Sequence, residues 1–196
     1  MTKLTSRNAK IRLYDGTGTP LYLELDLDKG DFSGPLGIPR QDEQLVLNRG
    51  TMDALAHYVK GADDKLMEPV EISFSAMLRD DAQTINILDW IAAMNDALVT
   101  QVNSNTLVSS QADTQRDGAT NNPAFADSNK STCNVEYLME TGGTDLGLKY
   151  AEVYFAADQI TIGESDEEIT ISLTGKVYGT ISRITAFTAG TDVEAA

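Results

Sequence analysis

The sequence predicts an α+β fold that is mainly β: a β-sandwich or barrel with one flanking α-helix and a long inter-strand loop. Three observations predict it. Apolar and polar residues alternate with a period of two through most of the apolar segments. One stretch, about Gln83 to Val99, changes to helical spacing. Two stretches, about 28–66 and 101–131, carry turn-forming or polar composition and read as long loops within a single domain spanning 1–196.

The elements follow in order. Ile11 and Leu13 mark a first strand, and Leu21, Leu23, Leu25 and Leu27 alternate with Tyr22, Glu24 and Asp26 in a second. Asp15-Gly16-Thr17-Gly18 joins them as a hairpin, because Asp-Gly supplies positive-φ positions. Gly30, Gly34, Pro35, Gly37 and Pro39 then break regular structure. A short helix is predicted from Thr51 to Lys60, capped by Thr51 and stopped by Gly61. Val70, Ile72, Phe74, Ala76 and Leu78 form the apolar side of a strand. In the longer helix, Ile87, Leu88, Ile91, Met94 and Leu98 make one stripe. Three more strands are centred on Val135, Val153 and Leu173. On the last of them Gly175 and Gly179 fall on the apolar side, which implies a bend or a close backbone approach. The phase slips near Arg183, as a bulge would cause.

Composition bounds the function. The 196 residues include 30 Asp and Glu against 15 Lys and Arg, for a net charge of −15. Tight DNA binding by phosphate neutralisation is not expected of such a chain. The basic residues Lys3, Arg7, Lys10 and Arg12 read as a solvated terminal segment. Acidity keeps an abundant subunit soluble and suits the lining of a channel through which DNA slides. No apolar run reaches the ~20 residues a membrane helix needs, and the start reads as no secretory signal.

Catalytic signatures are not found. The single histidine, His57, has no nucleophile elbow to serve, and Cys133 sits on an apolar strand face. One of each is too few for a zinc site, and no phosphate-binding glycine loop occurs. Asp26-Leu-Asp28-Lys-Gly30-Asp31 lacks the spacing and closing Glu of a calcium loop. Glu164, Asp166, Glu167 and Glu168 read as a solvated hairpin tip. The chain is therefore expected to be no enzyme and to take no metal and no cofactor.

Two segments carry a family resemblance. The first is Glu43-Gln-Leu-Val-Leu-Asn-Arg-Gly-Thr-Met-Asp53, followed by Gly61-Ala-Asp-Asp-Lys-Leu-Met-Glu-Pro69 and Val70 to Ser75. The second runs from Ala151-Glu-Val-Tyr-Phe155 to Gly163, then Glu168-Ile-Thr-Ile-Ser-Leu-Thr-Gly175 to Gly179. Together they resemble the major tail (tail-tube) proteins of long-tailed, siphophage-type bacteriophages.

The resemblance implies the fold shared with type VI secretion tube proteins, hexameric rings joined through their sheets, and rings stacked into a tube. It implies a homo-oligomer in the virion, made in the host bacterial cytoplasm. Its partners would be a tape-measure protein, tail-terminator and tail-tip proteins, and passing DNA that is not held tightly. Candidate lumen-lining residues are Glu71, Ser73 and Ser75, or Thr170, Ser172 and Thr174. A loop from about Asp28 to Leu66, with Asp28, Asp31, Pro35 and Arg40 in it, would reach the next ring. The alternatives are a β-sandwich binding or adhesion module and another ring-forming tail protein such as a terminator. A hydrolase with an unrecognised carboxylate pair ranks behind them.

Overall fold

The computed structural model describes residues 9–25, 27, 31–38, 59–60, 66–67, 69–78, 87–91, 101–102, 105–110, 132–139, 144–164 and 169–193. The strands are β1 (Ala9–Tyr14), β2 (Leu21–Leu25), β3 (Val59–Lys60), β4 (Leu66–Met67), β5 (Val70–Leu78), β6 (Gln101–Val102), β7 (Asn105–Thr106), β8 (Cys133–Met139), β9 (Leu146–Glu164), β10 (Ile169–Val177), β11 (Ile181–Ile184) and β12 (Thr191–Asp192). The protein is mainly β. Eight strands form one sheet in the order β12-β2-β1-β8-β9-β10-β5, with β11 also paired to β9.

This sheet wraps its own core. Leu27, just past β2, bridges Ala76 of β5, and Ser33 bridges Ser73 with both N–H···O bonds at 2.8 Å. The chain leaving β2 thus returns to the far edge of the sheet and brings it close to barrel closure. The alternation read from the sequence sets what lies inside. Ile11, Leu13, Leu23, Leu25, Ile72, Phe74, Ala76, Val153, Phe155, Ile171 and Leu173 are all buried in one cluster. Phe74 and Phe155 meet edge to face across it, with centroids 6.0 Å apart.

The 19-residue strand β9 is the spine. Its first half pairs with β8 on one side and β11 on the other, and its second half pairs with β10. A strand this long must break to follow a curved sheet. The break is at Ala151 and Glu152, which together face Asn134 where the β8 register shifts. Glu152 takes φ 54°, and its N–H bonds the Asn134 side chain at 3.1 Å. Across the strand, Gly179 donates to the Ala151 carbonyl and Tyr178 to that of Glu152, so β10 and β11 part at the same level. A Cβ on Gly179 would come within 2.7 Å of that Ala151 oxygen, so the predicted close approach is real. The bulge expected near Arg183 is not there: β11 pairs residue for residue from Ile181 to Ile184, and Val177 and Ile181 keep one phase across the interruption at Tyr178 to Thr180.

The outer side of β2, β1, β8 and β9 carries an ion ladder. Glu24 pairs with Arg12, Arg12 is registered with Glu136, and Glu136 with Lys149. Lys10 is exposed, as the solvated reading expects, with Glu24 at 3.3 Å, whereas Arg12 is largely covered and bonds Glu24 at 2.7 Å. Glu136 is 0% exposed, with Lys149 Nζ at 2.9 Å. The C-terminal segment 185–193 covers it. The Thr188 N–H and hydroxyl donate to the Glu136 carboxylate, and the Tyr14 hydroxyl donates to the Thr188 carbonyl. Arg12 lies between the rings of Tyr22 and Phe187, 4.2 and 4.3 Å from their centroids.

Other polar contacts fix the loops. Asp15 is buried and accepts from the N–H groups of Thr17, Leu21 and Val108, which shapes the predicted hairpin. Burial lifts the Asp15 carboxyl above its ordinary range, and these hydrogen bonds oppose the lift. Ser110 N–H donates to the Thr132 carbonyl at 2.8 Å, and Thr132 N–H to Ser109 Oγ at 3.1 Å. Residues 110 and 132 are thereby stitched together.

Several expectations change. The predicted Thr51 helix cannot reach Lys60, because Val59–Lys60 pairs with Leu66–Met67 as a strand; residues 51–58, with His57, lie outside the described residues. The 101–131 loop starts with a paired β6 and β7 and a buried Leu107, so local pairing and burial shorten it. In the longer helix, residues 87–91 are helical. Trp90, which the stripe omitted, is buried with Ile87, whereas Leu88 is largely exposed. The stripe is narrower because Ile87, Trp90 and Ile91 follow the i, i+3, i+4 face. Burial pushes the Cys133 thiol pKa up, and Cys133 lies in the same buried cluster as Trp90, so this cysteine is a core residue.

Glu136→Ala is expected to cost about 3 kcal/mol, since it strips a buried carboxylate from its donors; Glu136→Gln costs roughly half. Urea unfolding of both variants checks this. A second expectation concerns Glu152. Burial holds its carboxyl above the ordinary range, so the folded state binds that proton more tightly than the unfolded chain. Its contribution to stability therefore falls as pH rises through the carboxylate range. Glu152→Gly relieves the positive φ and should stabilise by about 1 kcal/mol near neutral pH. The gain should shrink near pH 4, as unfolding at both pH values would reveal.

Candidate functional site

The polar face of β5 and β10 is the surface to which the sequence pointed. Buried Ile72, Phe74 and Ala76 turn the intervening Glu71, Ser73 and Ser75 outward, and Ile171 and Leu173 do the same for Thr170, Ser172 and Thr174. The two sets, offered by the sequence as alternatives, form one face. Ser73 lies opposite Thr174, Ser75 opposite Ser172, and Glu71 opposite Lys176. The Ser75 and Ser172 hydroxyls are 2.8 Å apart. Ser75 is nearly buried, so it stiffens the face more than it lines it.

Strand β9 extends this face and interrupts it. Phe155 faces Gly175 and Ile160 faces Leu173, which leaves Ala156 to Gln159 opposite Thr174 alone. A Cβ on Gly175 would meet Val153 at 2.6 Å and Phe155 at 2.7 Å, so only glycine lets β9 pack here. The excursion opens a groove of about 300 Å³. Glu71, Tyr154, Asp158, Gln159, Lys176 and Tyr178 line it. The two carboxylates flank the single lysine of this lining and leave the groove without a net attraction for phosphate. Sequence reasoning missed these β9 residues. Tyr154 and Tyr178 stood on the polar phase of their strands, which is the one available signal. An excursion of this length has no period to betray it.

The expected inter-ring residues are less gathered. Asp28 and Arg40 lie outside the described residues. Asp31 is exposed and Pro35 half-buried in a clamped loop. Phe32 stacks on Tyr137 at 4.0 Å and 4°, and the Tyr150 hydroxyl donates to the Pro35 carbonyl. Burial raises the pKa of that hydroxyl to about 12, so it stays a donor. Leu36 stands at the tip, 83% exposed.

Among the described residues no group of three or more His, Cys, Asp and Glu is placed to hold a metal, and no helix is long and apolar enough to cross a membrane. The acidic tip is described only at Glu164, which is exposed.

No family model matches this chain, and no curated protein matches it. Among solved structures it is similar, at 8% identity and a TM-score of 0.43, to a chain in the cryo-EM structure of the anti-feeding prophage (AFP) baseplate, 6-fold symmetrised; the match covers 94% of this chain and 97% of that one.

The wild-type face is expected not to retain duplex DNA. Replacing both Glu71 and Asp158 with Lys should create salt-sensitive retention in a gel-shift assay near 50 mM salt, fading near 200 mM.

Proposed function

We propose that this chain is a non-catalytic structural subunit of a bacteriophage tail tube. Copies join their sheets into closed, hexameric rings, the rings stack, and the lumen conducts DNA. The observation that carries this reading is the unused half of β9. Beyond Val153 the strand runs on to Glu164, past the end of β8. Among the described residues nothing pairs with that edge. Beside it Ile162 is 61% exposed and Ile169 46%. An unpaired, partly apolar edge is a template for another strand. A monomer gains nothing from leaving it open, whereas a subunit that completes its sheet on a neighbour does.

Two features support the tube over a mere dimer. The face beside this edge is polar, and a net charge of −15 disfavours DNA adhesion. The clamped 31–38 loop presents Leu36 away from the sheet, as a contact between rings needs. The tape-measure, terminator and tip proteins enter as partners through the sequence resemblance, and the virion as the location.

Purified protein should pass from monomers to rings and tubes as concentration rises, by sedimentation velocity and negative-stain microscopy. Ile162→Asp should remain folded by circular dichroism yet stay monomeric at about tenfold higher concentration. A wild-type protein that stays monomeric in concentrated solution rules the tube out and leaves the binding-module reading.

A further inference from the structure

Ring formation needs two different edges, and only one has been named so far. If β9 met its own copy about a two-fold axis, the result would be a closed dimer. A head-to-tail ring requires a second open edge that faces the other way.

Strand β11 provides it. Val153 is registered with Cys133 of β8 and with Val177 of β10, so these strands lie on opposite sides of β9. Strand β11 lies on the β10 side, against residues 147–150. Beyond it, among the described residues, no further strand pairs, because β5 begins at Val70 opposite Val177. The open edge of β11 and the open half of β9 therefore face in opposite directions from one spine.

Their side chains also match. Register places Arg183 and Ile181 on the face of Leu148 and Tyr150, the core side of the sheet. Ile162 and Glu164 occupy that same side, opposite Ile171 and Ile169. Arg183, Ile162 and Glu164 are all exposed. Each open edge thus offers an isoleucine and a charge two residues on, and the charges are opposite.

We propose that β11 of one copy adds to the second half of β9 of the next, antiparallel as β11 already is to its own β9. In the register that sets Arg183 opposite Ile162 and Ile181 opposite Glu164, Ile181 and Ile162 are diagonal neighbours, and so are the Arg183 guanidinium and the Glu164 carboxylate. Long side chains span such diagonal neighbours. The proposal rests on the tail-tube reading and names the edges through which its rings close.

The test is charge reversal and cross-linking on the full chain, with ring formation followed by sedimentation and microscopy. Arg183→Glu should raise the concentration needed for rings at least about tenfold. Adding Glu164→Arg to it should restore wild-type assembly. On the opposite face, Ser182→Cys combined with Thr161→Cys or Gly163→Cys should give ladders of disulfide-linked oligomers on oxidation. The buried Cys133 leaves this readout clear. Melting curves of the dilute variants confirm that each monomer folds. If wild type forms rings while Arg183→Glu assembles unchanged and no ladder forms, the edge assignment falls and the tube reading stands. If Thr161→Cys alone gives only dimers, β9 pairs with itself and the proposal is overturned. Wild type that forms no ordered oligomer removes both.

Discussion

Every backbone group of a strand needs a partner, and among the described residues β9 finds partners on both sides of its first half and on one side of its second. Along 19 residues it draws β8 and β11 to one half and β10 to the other. The rest of the fold follows from that demand. The strand breaks at Glu152 so that its two halves can follow a curved sheet. The break also splits β10 from β11 and lets β5 approach the segment after β2. A core of alternating apolar residues fills the space enclosed. The edge beyond Val153, which no described residue pairs, is the same feature seen from outside.

A second constraint comes from charge. Burying a carboxylate is costly unless its oxygens are fully occupied. Glu136 meets this with Lys149 and two donors from Thr188. The segment 185–193 is held by that requirement as much as by the buried Val193. A ladder of alternating charge is also exacting about register, because a slip of one residue would face carboxylate with apolar side chains. It therefore selects one pairing of β2, β1, β8 and β9 among those the hydrophobic pattern allows.

Much of the fold was legible because burial on one side of a strand imposes a period of two, and β1, β2, β5, β8, β9 and β10 all show it. The close approach at Gly175 was legible because a glycine on an apolar phase has few other reasons to be there. What escaped was non-periodic or non-local. Trp90 fell outside the assumed helical stripe. The Ala156–Gln159 excursion leaves no pattern. The partner of Arg12 lies on a neighbouring strand, so a charge that is satisfied in space looked free in sequence. The candidate face was read as two sets because register between β5 and β10 is set by pairing, which no single strand records.

The stitched stem at Ser110 and Thr132 has a meaning for how this protein can change. Closing a loop whose ends are already fixed costs little more as the loop lengthens, roughly 0.6 kcal/mol per doubling. The stem is tied to the β1–β2 turn through Gly16 and Asp15, and to β8 through Thr132, by hydrogen bonds at Val108, Ser109, Ser110 and Thr132. A stem fixed at residues 110 and 132 lets the sequence between them change in length at small cost, so a foreign peptide grafted there should leave the pairing of the sheet intact.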